Sequence, residues 1–294
     1  MPISAVGLTT GDFANRLKDL PSCLDRFEAL GADFAELSLG AFDIVADTKI
    51  LPARLKELKR ICADRPLRYT VHGPIASRFT DRRHLQAQID VCRAVLEVSG
   101  EIGATAQVHH SGETPAGDAA ERDRLYELER ETLSEIAPHA EACGVKLCVE
   151  NIFGDDQVYF LSPAELAEQI RRVDHPFIRA TVDFSHAAIN AGVRGYDLMA
   201  ELAALAPYAG HLHIHDSFGK PQSFRPYTYG EGVNFGMGDL HLPPGWGALD
   251  WEAIAALDYR DDVVANLELS TRFEDDLEDS IALCRRMIDI SRSR

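Results

Sequence analysis

The alternation of short strand-like runs with longer helix-like stretches constrains the fold of this chain more than any other feature. Apolar or alternating runs predict eight strands, at residues 3–8, 33–38, 67–72, 105–110, 145–150, 178–183, 210–215 and 263–269. The stretches between them carry apolar residues at helical spacing, for example Leu85, Ile89, Cys92 and Leu96. Repeated strand–helix units are typical of a parallel sheet with helices packed on its outer face.

We predict a single (β/α)₈ TIM barrel domain over residues 1–294. The length alone also suits two average domains, but no linker or low-complexity stretch interrupts the chain. No glycine-rich GxGxxG fingerprint follows the first strand, where a nucleotide-binding open sheet would carry one. The one long irregular segment, 216–250, is rich in glycine, proline and aromatic residues. We expect it to be a loop after strand 7 that covers the substrate, or alternatively contacts a second subunit.

Composition narrows the possible partners and the compartment. The net charge of −17 disfavours nucleic acid and anionic membrane surfaces as partners. No 18-residue apolar run and no secretory signal pattern is present, so we expect neither membrane insertion nor export. The six cysteines form no CxxC pair and lie mostly in apolar periodic segments, as is typical of a reducing compartment. We therefore predict a cytoplasmic protein.

Ligand-type side chains end most of the predicted strands, where barrel enzymes carry their active sites. In chain order these residues are Glu36, His72, His109, His110, Glu150, Asp183, His211, His213, His215, Asp216 and Glu268. Alternation along the strands directs Glu150, Asp183 and Glu268 into the barrel mouth, where three carboxylates would repel one another unless protonated or bridged by cations. Carboxylate and imidazole donors suit Zn²⁺, Mn²⁺, Co²⁺ or Mg²⁺, so the pattern predicts a divalent metal site.

Some of these side chains have a structural alternative. Asp183, Ser185 or both can instead cap the helix that follows, although six successive strand ends of this kind favour the metal. His211 and His215 are interpreted as groups that support the ligands or face solvent. Glu36 is either a substrate contact or an ion-pair partner.

Seven short motifs in order identify a family resemblance. They are VHGP, HHSG, VEN, VDFSH, HIHD, DLH followed by PPGWGALDW, and LELS. With these motifs the chain resembles, over nearly its whole length, the xylose isomerase-like superfamily of metal-dependent barrels. That superfamily includes sugar isomerases and epimerases and also endonuclease IV. The resemblance implies that Glu150, Asp183, His213 and Glu268 hold one catalytic metal ion, and that His186 binds substrate.

The endonuclease IV pattern implies a larger centre with three zinc ions. Its additional ligands would be His72, His110, His186, Asp239 and His241, and all five positions are filled here. The resemblance therefore leaves one to three ions per chain, with Zn²⁺ or Mn²⁺ favoured. Strand phase favours His109 as the inward residue, whereas motif position favours His110, and we follow the motif.

The favoured function is a divalent-metal-dependent isomerase or epimerase of a sugar or sugar phosphate. In this scheme the metal stabilises an enediolate while Glu150 and Glu268 remove and return the proton. The predicted substrate-binding residues are His72, His186, Glu36 and Arg225.

Two other functions are considered. The first is an endonuclease IV-like phosphodiesterase, although candidate phosphate-binding side chains are few: Arg78, Arg82, Arg83, Lys220, Arg225 and Arg272. The second is a metal-dependent sugar-binding protein without catalysis, which no sequence feature supports. Related barrels are often oligomers, so the resemblance allows a homo-oligomer.

Overall fold

Eight parallel strands close into a barrel in which each strand pairs with its neighbours in the sequence. The computed structural model describes residues 3–260 and 262–293, so residues 1, 2, 261 and 294 of the predicted domain lie outside the described residues. The barrel strands are β1 Ile3–Thr9, β2 Phe34–Ser38, β3 Arg68–His72, β4 Ala106–His110, β5 Lys146–Glu150, β6 Ile178–Asp183, β7 Ala209–Ile214 and β8 Val263–Leu267. The predicted (β/α)₈ fold is confirmed.

Helices connect the strands and cover the barrel. They are α1 Leu20–Ala29, α2 Pro52–Cys62, α3 Leu85–Glu101, α4 Ala119–Cys143, α5 Pro163–Val173, α6 Phe184–Arg194, α7 Leu198–Leu205, α8 Tyr229–Phe235, α9 Trp251–Ala255 and α10 Leu277–Arg292. Ser162 and Glu165 form a capping box at the start of α5, and Gly144 ends α4 with φ 69°. None of the described helices is long and apolar enough to cross a membrane.

The hydrophobic core lies between the barrel strands and the helices. Val145, Leu147 and Val149 lie next to and along β5 with no exposed surface and belong to a core cluster that extends from β1 to α10. Glu150 ends the opposite face of the same strand, which points into the barrel. Because the apolar outer face of the strands packs against the helices and forms the core, the inner face is free to carry polar side chains.

The long segment after β7 is partly helical, and hydrogen bonds to Asp216 hold its end against the barrel. The predicted long loop is present, and it contains one short helix, α8, which a capping box between Thr228 and Glu231 initiates. The buried carboxylate of Asp216 accepts hydrogen bonds from the Gly245 backbone N–H at 2.7 Å and from the Trp251 indole at 3.0 Å. These bonds fold the end of the segment back onto β7.

Candidate metal centre

Four donor side chains converge at the carboxyl ends of β5 to β8. The Nδ1 atom of His213 lies 2.9 Å from Glu150 Oε1, 3.2 Å from Glu268 Oε2 and 3.7 Å from Asp183 Oδ2. One ligand atom from each of the four residues lies within 4.8 Å of all the others. Glu150, Asp183 and His213 are buried, whereas Glu268 is 20% exposed and faces the barrel mouth. The structure thus brings together the four residues of the predicted mononuclear site.

Asp183 both caps a helix and faces the other donors. Its Oδ1 atom accepts a hydrogen bond of 2.7 Å from the backbone N–H of His186, which caps α6. Its Oδ2 atom lies 2.8 Å from Nε2 of His215. Ser185 lies inside α6 rather than before it, so its predicted alternative role as a cap is wrong. The two interpretations of Asp183 are compatible because each uses a different oxygen.

A second group of donors flanks this site on the side of β3 and β4. The Oε2 atom of Glu150 lies 3.3 Å from His110 Nε2 and 3.7 Å from His72 Nε2. His109 instead points outward and stacks on Phe79 with ring centroids 4.2 Å apart. The residue chosen from the motif, His110, is therefore the one that faces the centre.

A third group lies on the side of the long segment after β7. The Oδ2 atom of Asp239 lies 2.9 Å from His241 Nε2 and 3.3 Å from His186 Nε2. His215 completes this group, with its Nδ1 atom 3.7 Å from Asp239 Oδ1. The backbone of His241 is left-handed (φ 43°), and its Nδ1 lies 2.7 Å from the Glu268 carbonyl oxygen, which fixes the ring towards Asp239.

Glu36 lies beneath the centre inside the barrel. Its Oε2 atom lies 2.7 Å from His211 Nε2 and 3.3 Å from His213 Nε2, and its Oε1 atom accepts a 3.1 Å hydrogen bond from Asn266. All four side chains are fully buried. The substrate contact predicted for Glu36 is therefore wrong, since both oxygens bond to barrel side chains and neither is exposed. His211 and His215 are also buried, so the solvent-facing alternative for them is wrong.

Neighbouring charges determine the protonation of these groups. Burial lowers the pKa of His213, but the carboxylates of Glu268, Glu150 and Glu36 outweigh it and raise that pKa well above its ordinary value. Burial raises the pKa of Glu150, but the charge of His213 and the hydrogen bonds from His186 and His213 outweigh it and hold that pKa well below its ordinary value. Burial lowers the pKa of His110 to about 4, so this imidazole is neutral and able to bind a metal at neutral pH.

The donor set fits a divalent cation by an independent observation. Glu150 Oε2, Asp239 Oδ1 and His215 Nδ1 are buried without a hydrogen-bond partner among the described residues. Each such atom costs about 1–3 kcal/mol if it stays unsatisfied. All three point into the donor groups just described, and mixed carboxylate and imidazole donors suit Zn²⁺, Mn²⁺ and related ions.

The centre opens into a cavity of about 590 Å³ at the barrel mouth, lined by His72, His241 and Glu268 among others. The predicted substrate-binding residue His72 thus reaches this cavity. Arg225 does not, because it lines a separate cavity of about 540 Å³ beside Phe153. His186 lines neither cavity, and its ring centroid lies 5.2 Å from that of Phe153, which lines the second one.

Sequence reasoning did not single out two supporting residues, Asn151 and Asn266. The side chain of Asn151 donates to the Asp183 carbonyl at 2.7 Å and accepts from the Asp183 N–H at 3.0 Å, which fixes the end of β6. The sequence marks Asn151 only as the last residue of the VEN motif, which does not indicate a contact with β6.

The chain belongs to the xylose isomerase-like TIM barrel family, whose pattern it matches over residues 24–290. Among related proteins, D-psicose 3-epimerase of Ruminiclostridium cellulolyticum is 22% identical over 65% of this chain. An uncharacterised protein of Methanocaldococcus jannaschii is 24% identical over 63% of this chain. Each match spans 64% of the related protein, which is less than two thirds of its length.

Solved structures share the fold at low sequence identity. A D-psicose 3-epimerase solved in the presence of D-fructose has a TM-score of 0.69 at 13% identity, with 97% of this chain and 99% of that chain covered. A xylose isomerase-like protein from Mycobacterium smegmatis in complex with magnesium has a TM-score of 0.69 at 17% identity and 97% coverage of both chains. The IOLI protein with a bound zinc atom has a TM-score of 0.68 at 17% identity and 98% coverage of both.

Proposed function

We propose that this chain is a divalent-metal-dependent isomerase or epimerase of a sugar or sugar phosphate. The observation that carries the proposal is the placement of Glu150 and Glu268, both within 3.2 Å of His213 Nδ1, next to a cavity of small-molecule size. The similarity to D-psicose 3-epimerase supports the same reaction class.

The residues proposed to hold the metal are Glu150, Asp183, His213 and Glu268. A divalent cation bound there would supply stabilisation of negative charge on neighbouring sugar oxygens. Zn²⁺ and Mn²⁺ are the ions we propose first, with Co²⁺ and Mg²⁺ as alternatives. Glu36 bonds to the far nitrogen of His213, which leaves Nδ1 directed at the other donors.

Two carboxylates are proposed to move the proton. Glu268 faces the cavity and can take a proton from the carbon next to the sugar carbonyl, and Glu150, once it carries a proton of its own, can deliver that proton to the opposite face of the same carbon. Proton exchange with solvent then returns both carboxyl groups to their starting states. His72 at the cavity wall and His186 beside Phe153 would bind sugar hydroxyls.

We infer a cytoplasmic protein with a small-molecule substrate. None of the six cysteines, all of which lie in the described part of the chain, forms a disulfide, and five of them are buried, which suits a reducing compartment. A homo-oligomer stays a prediction from the family resemblance.

The test is incorporation of solvent deuterium into sugars. Metal-loaded protein is incubated in D₂O with a panel of ketohexoses, ketopentoses and their phosphates, and NMR follows exchange of carbon-bound hydrogen and formation of the epimer or isomer. Glu150→Gln and Glu268→Gln should each lower turnover at least ~100-fold. Glu278→Gln on the exposed side of α10 is the matched control. Metal content is measured for every variant, and full turnover in both metal-loaded active-site variants would refute the proposal.

A second candidate function, a trinuclear zinc phosphodiesterase, has one observation in its favour. The groups around His110 and Asp239 flank the central four donors, as a larger centre requires. Against it, Arg78 and Arg82 form ion pairs with Glu113 and Glu121, which leaves them less available to phosphates. Cleavage of an abasic DNA duplex by fully zinc-loaded protein would favour this function, and absence of cleavage would exclude it.

A further inference from the structure

A second cavity of about 540 Å³ lies beside the candidate metal centre. Three loops form it: the loop after β4 contributes Glu113, the loop after β5 contributes residues 153–160, and the segment after β7 contributes residues 221–225. A two-stranded antiparallel ribbon between residues 114–115 and 158–159 joins the first two loops. The cavity is therefore supported by backbone hydrogen bonds and is not only a gap between side chains.

Phe153 separates this cavity from the metal centre. Its ring lies against His186, with ring centroids 5.2 Å apart. The Nδ1 atom of His186 in turn lies 3.4 Å from Glu150 Oε1. A ligand in the cavity would thus lie one aromatic ring away from the donors. A substrate that reaches both places must extend past Phe153.

The lining combines aromatic rings with hydrogen-bonding groups. Phe153, Phe160 and Phe224 contribute phenyl rings, whose electron-rich faces attract the C–H face of a sugar ring. Asp155 accepts backbone N–H bonds with Oδ1 only, at 2.7 Å from Gln157 and 2.8 Å from Val158. Its Oδ2 atom is therefore available to accept a hydroxyl hydrogen.

The charge of the lining disfavours an anionic ligand. The cavity carries two carboxylates, Glu113 and Asp155, and one cation, Arg225. Arg78 forms an ion pair with Glu113, which makes the surroundings about neutral rather than basic. A phosphate group prefers several cationic donors or a helix N-terminus, and this lining offers a single arginine.

We propose that this cavity binds a second, uncharged sugar ring, so that the substrate of the candidate metal centre is a glycoside or disaccharide rather than a free monosaccharide. The proposal rests on the proposed function for the identity of the reacting sugar. Both cavities, about 540 and 590 Å³, lie within the usual range of small-molecule sites. The second ring would occupy the 540 Å³ cavity and the reacting ring would lie at the candidate metal centre, with the linkage beside Phe153.

The test compares binding of one-ring and two-ring probes to metal-loaded protein by calorimetry. The probes are maltose, cellobiose, lactose and sucrose, their constituent monosaccharides, and glucose 6-phosphate. At least one disaccharide should bind about tenfold more tightly than either of its constituents. Phe224→Ala should abolish most of that advantage, since stacking on one ring is worth about a factor of ten. Tyr227→Ala is the matched control, because Tyr227 is 97% exposed on the same segment and does not line the cavity.

Three outcomes would overturn the proposal. They are equal affinities for disaccharides and monosaccharides across the panel, an unchanged preference in Phe224→Ala, or tightest binding of glucose 6-phosphate with its loss in Arg225→Ala. The deuterium exchange described above is measured separately. Exchange on monosaccharides without a two-ring preference refutes this cavity assignment alone, whereas a two-ring preference without exchange on any sugar refutes the proposed reaction alone.

Discussion

Glu129 on α4 should make the stability of this protein depend on pH. Its side chain has no exposed surface, and its Oε1 atom accepts a 2.7 Å hydrogen bond from the Gly112 N–H, two residues after His110. Its Oε2 atom has no partner among the described residues. Burial, only partly offset by the bond from the Gly112 N–H, raises the pKa of Glu129 from 4.5 to about 7.

The direction and size of the effect follow from this raised pKa. The unfolded chain loses the Glu129 proton near pH 4.5, whereas the folded chain keeps it until about pH 7. The proton on Glu129 therefore contributes about 3 kcal/mol to the free energy of unfolding below pH 4.5, and this contribution is lost as the pH rises to about 7. A glutamine side chain at this position stays neutral and keeps an acceptor for the Gly112 N–H. The Glu129→Gln variant should thus gain up to about 3 kcal/mol over the wild type above pH 7, and nothing near pH 4.5.

The measurement is urea unfolding followed by circular dichroism, on metal-free wild type and variant between pH 4.5 and 8. Other titrating groups, including the histidines of the centre, cancel in the difference between the two proteins. The matched control is Glu278→Gln, which changes an exposed carboxyl and should show no pH-dependent difference. A stability difference between Glu129→Gln and wild type that is constant with pH would refute the reasoning.

Three further predictions concern the centre and the segment above it. Replacement of Glu36 by glutamine should weaken metal binding about 10- to 100-fold, because it removes the carboxylate that bonds to the far nitrogen of His213. Competition with a chromophoric chelator measures the metal affinity, and an unchanged affinity would contradict this prediction. Gly247→Ala should destabilise by about 1–3 kcal/mol, because a Cβ would lie 2.2 Å from Asp216 Oδ1. Thermal unfolding and limited proteolysis check this against Gly117→Ala, where a Cβ meets open space. Chelation should lower the Tm of metal-loaded protein by several degrees, and a Tm independent of metal would argue against a metal centre.

The fold could be predicted because its signals are local. Strand alternation and helix caps depend on neighbouring residues, so the predicted 178–183 coincides with β6, and predicted 145–150 differs from β5 by one residue. The predicted strand 263–269 was too long, since β8 ends at Leu267. The list of strand ends was informative because closure of the barrel brings those ends together.

The inward face of β4 could not be predicted from alternation. Polarity suggested that Gln107 and His109 face the interior, but Gln107 donates to the Cys92 sulfur of α3 at 3.7 Å. The register pairs His110 with Glu150, so His110 shares the inward face. Gln107 can face the helices because it finds a hydrogen-bond partner there, so a polar residue does not mark the inward face of this strand. The partner cannot be recognised from the strand itself, because it lies on a different element of the chain. The same limit hid the bonds between Glu36 and His211, which lie 175 residues apart.

The three donor groups differ in the carboxylate oxygens that they can use, because Glu150 and Asp183 each lie between two of the groups. Glu150 directs Oε1 at His213 and Oε2 at His110, so it can serve two neighbouring ions with separate oxygens. Asp183 is more restricted, because its Oδ1 already uses one lone pair to accept the N–H of His186 and start α6, while its Oδ2 lies 2.8 Å from His215 Nε2. An ion on the Asp239 side would therefore compete for Asp183 with the cap of α6 and with His215. Because β6 ends and α6 begins at Asp183, this carboxylate has less to offer a second ion next to His186 than Glu150 has to offer one next to His110.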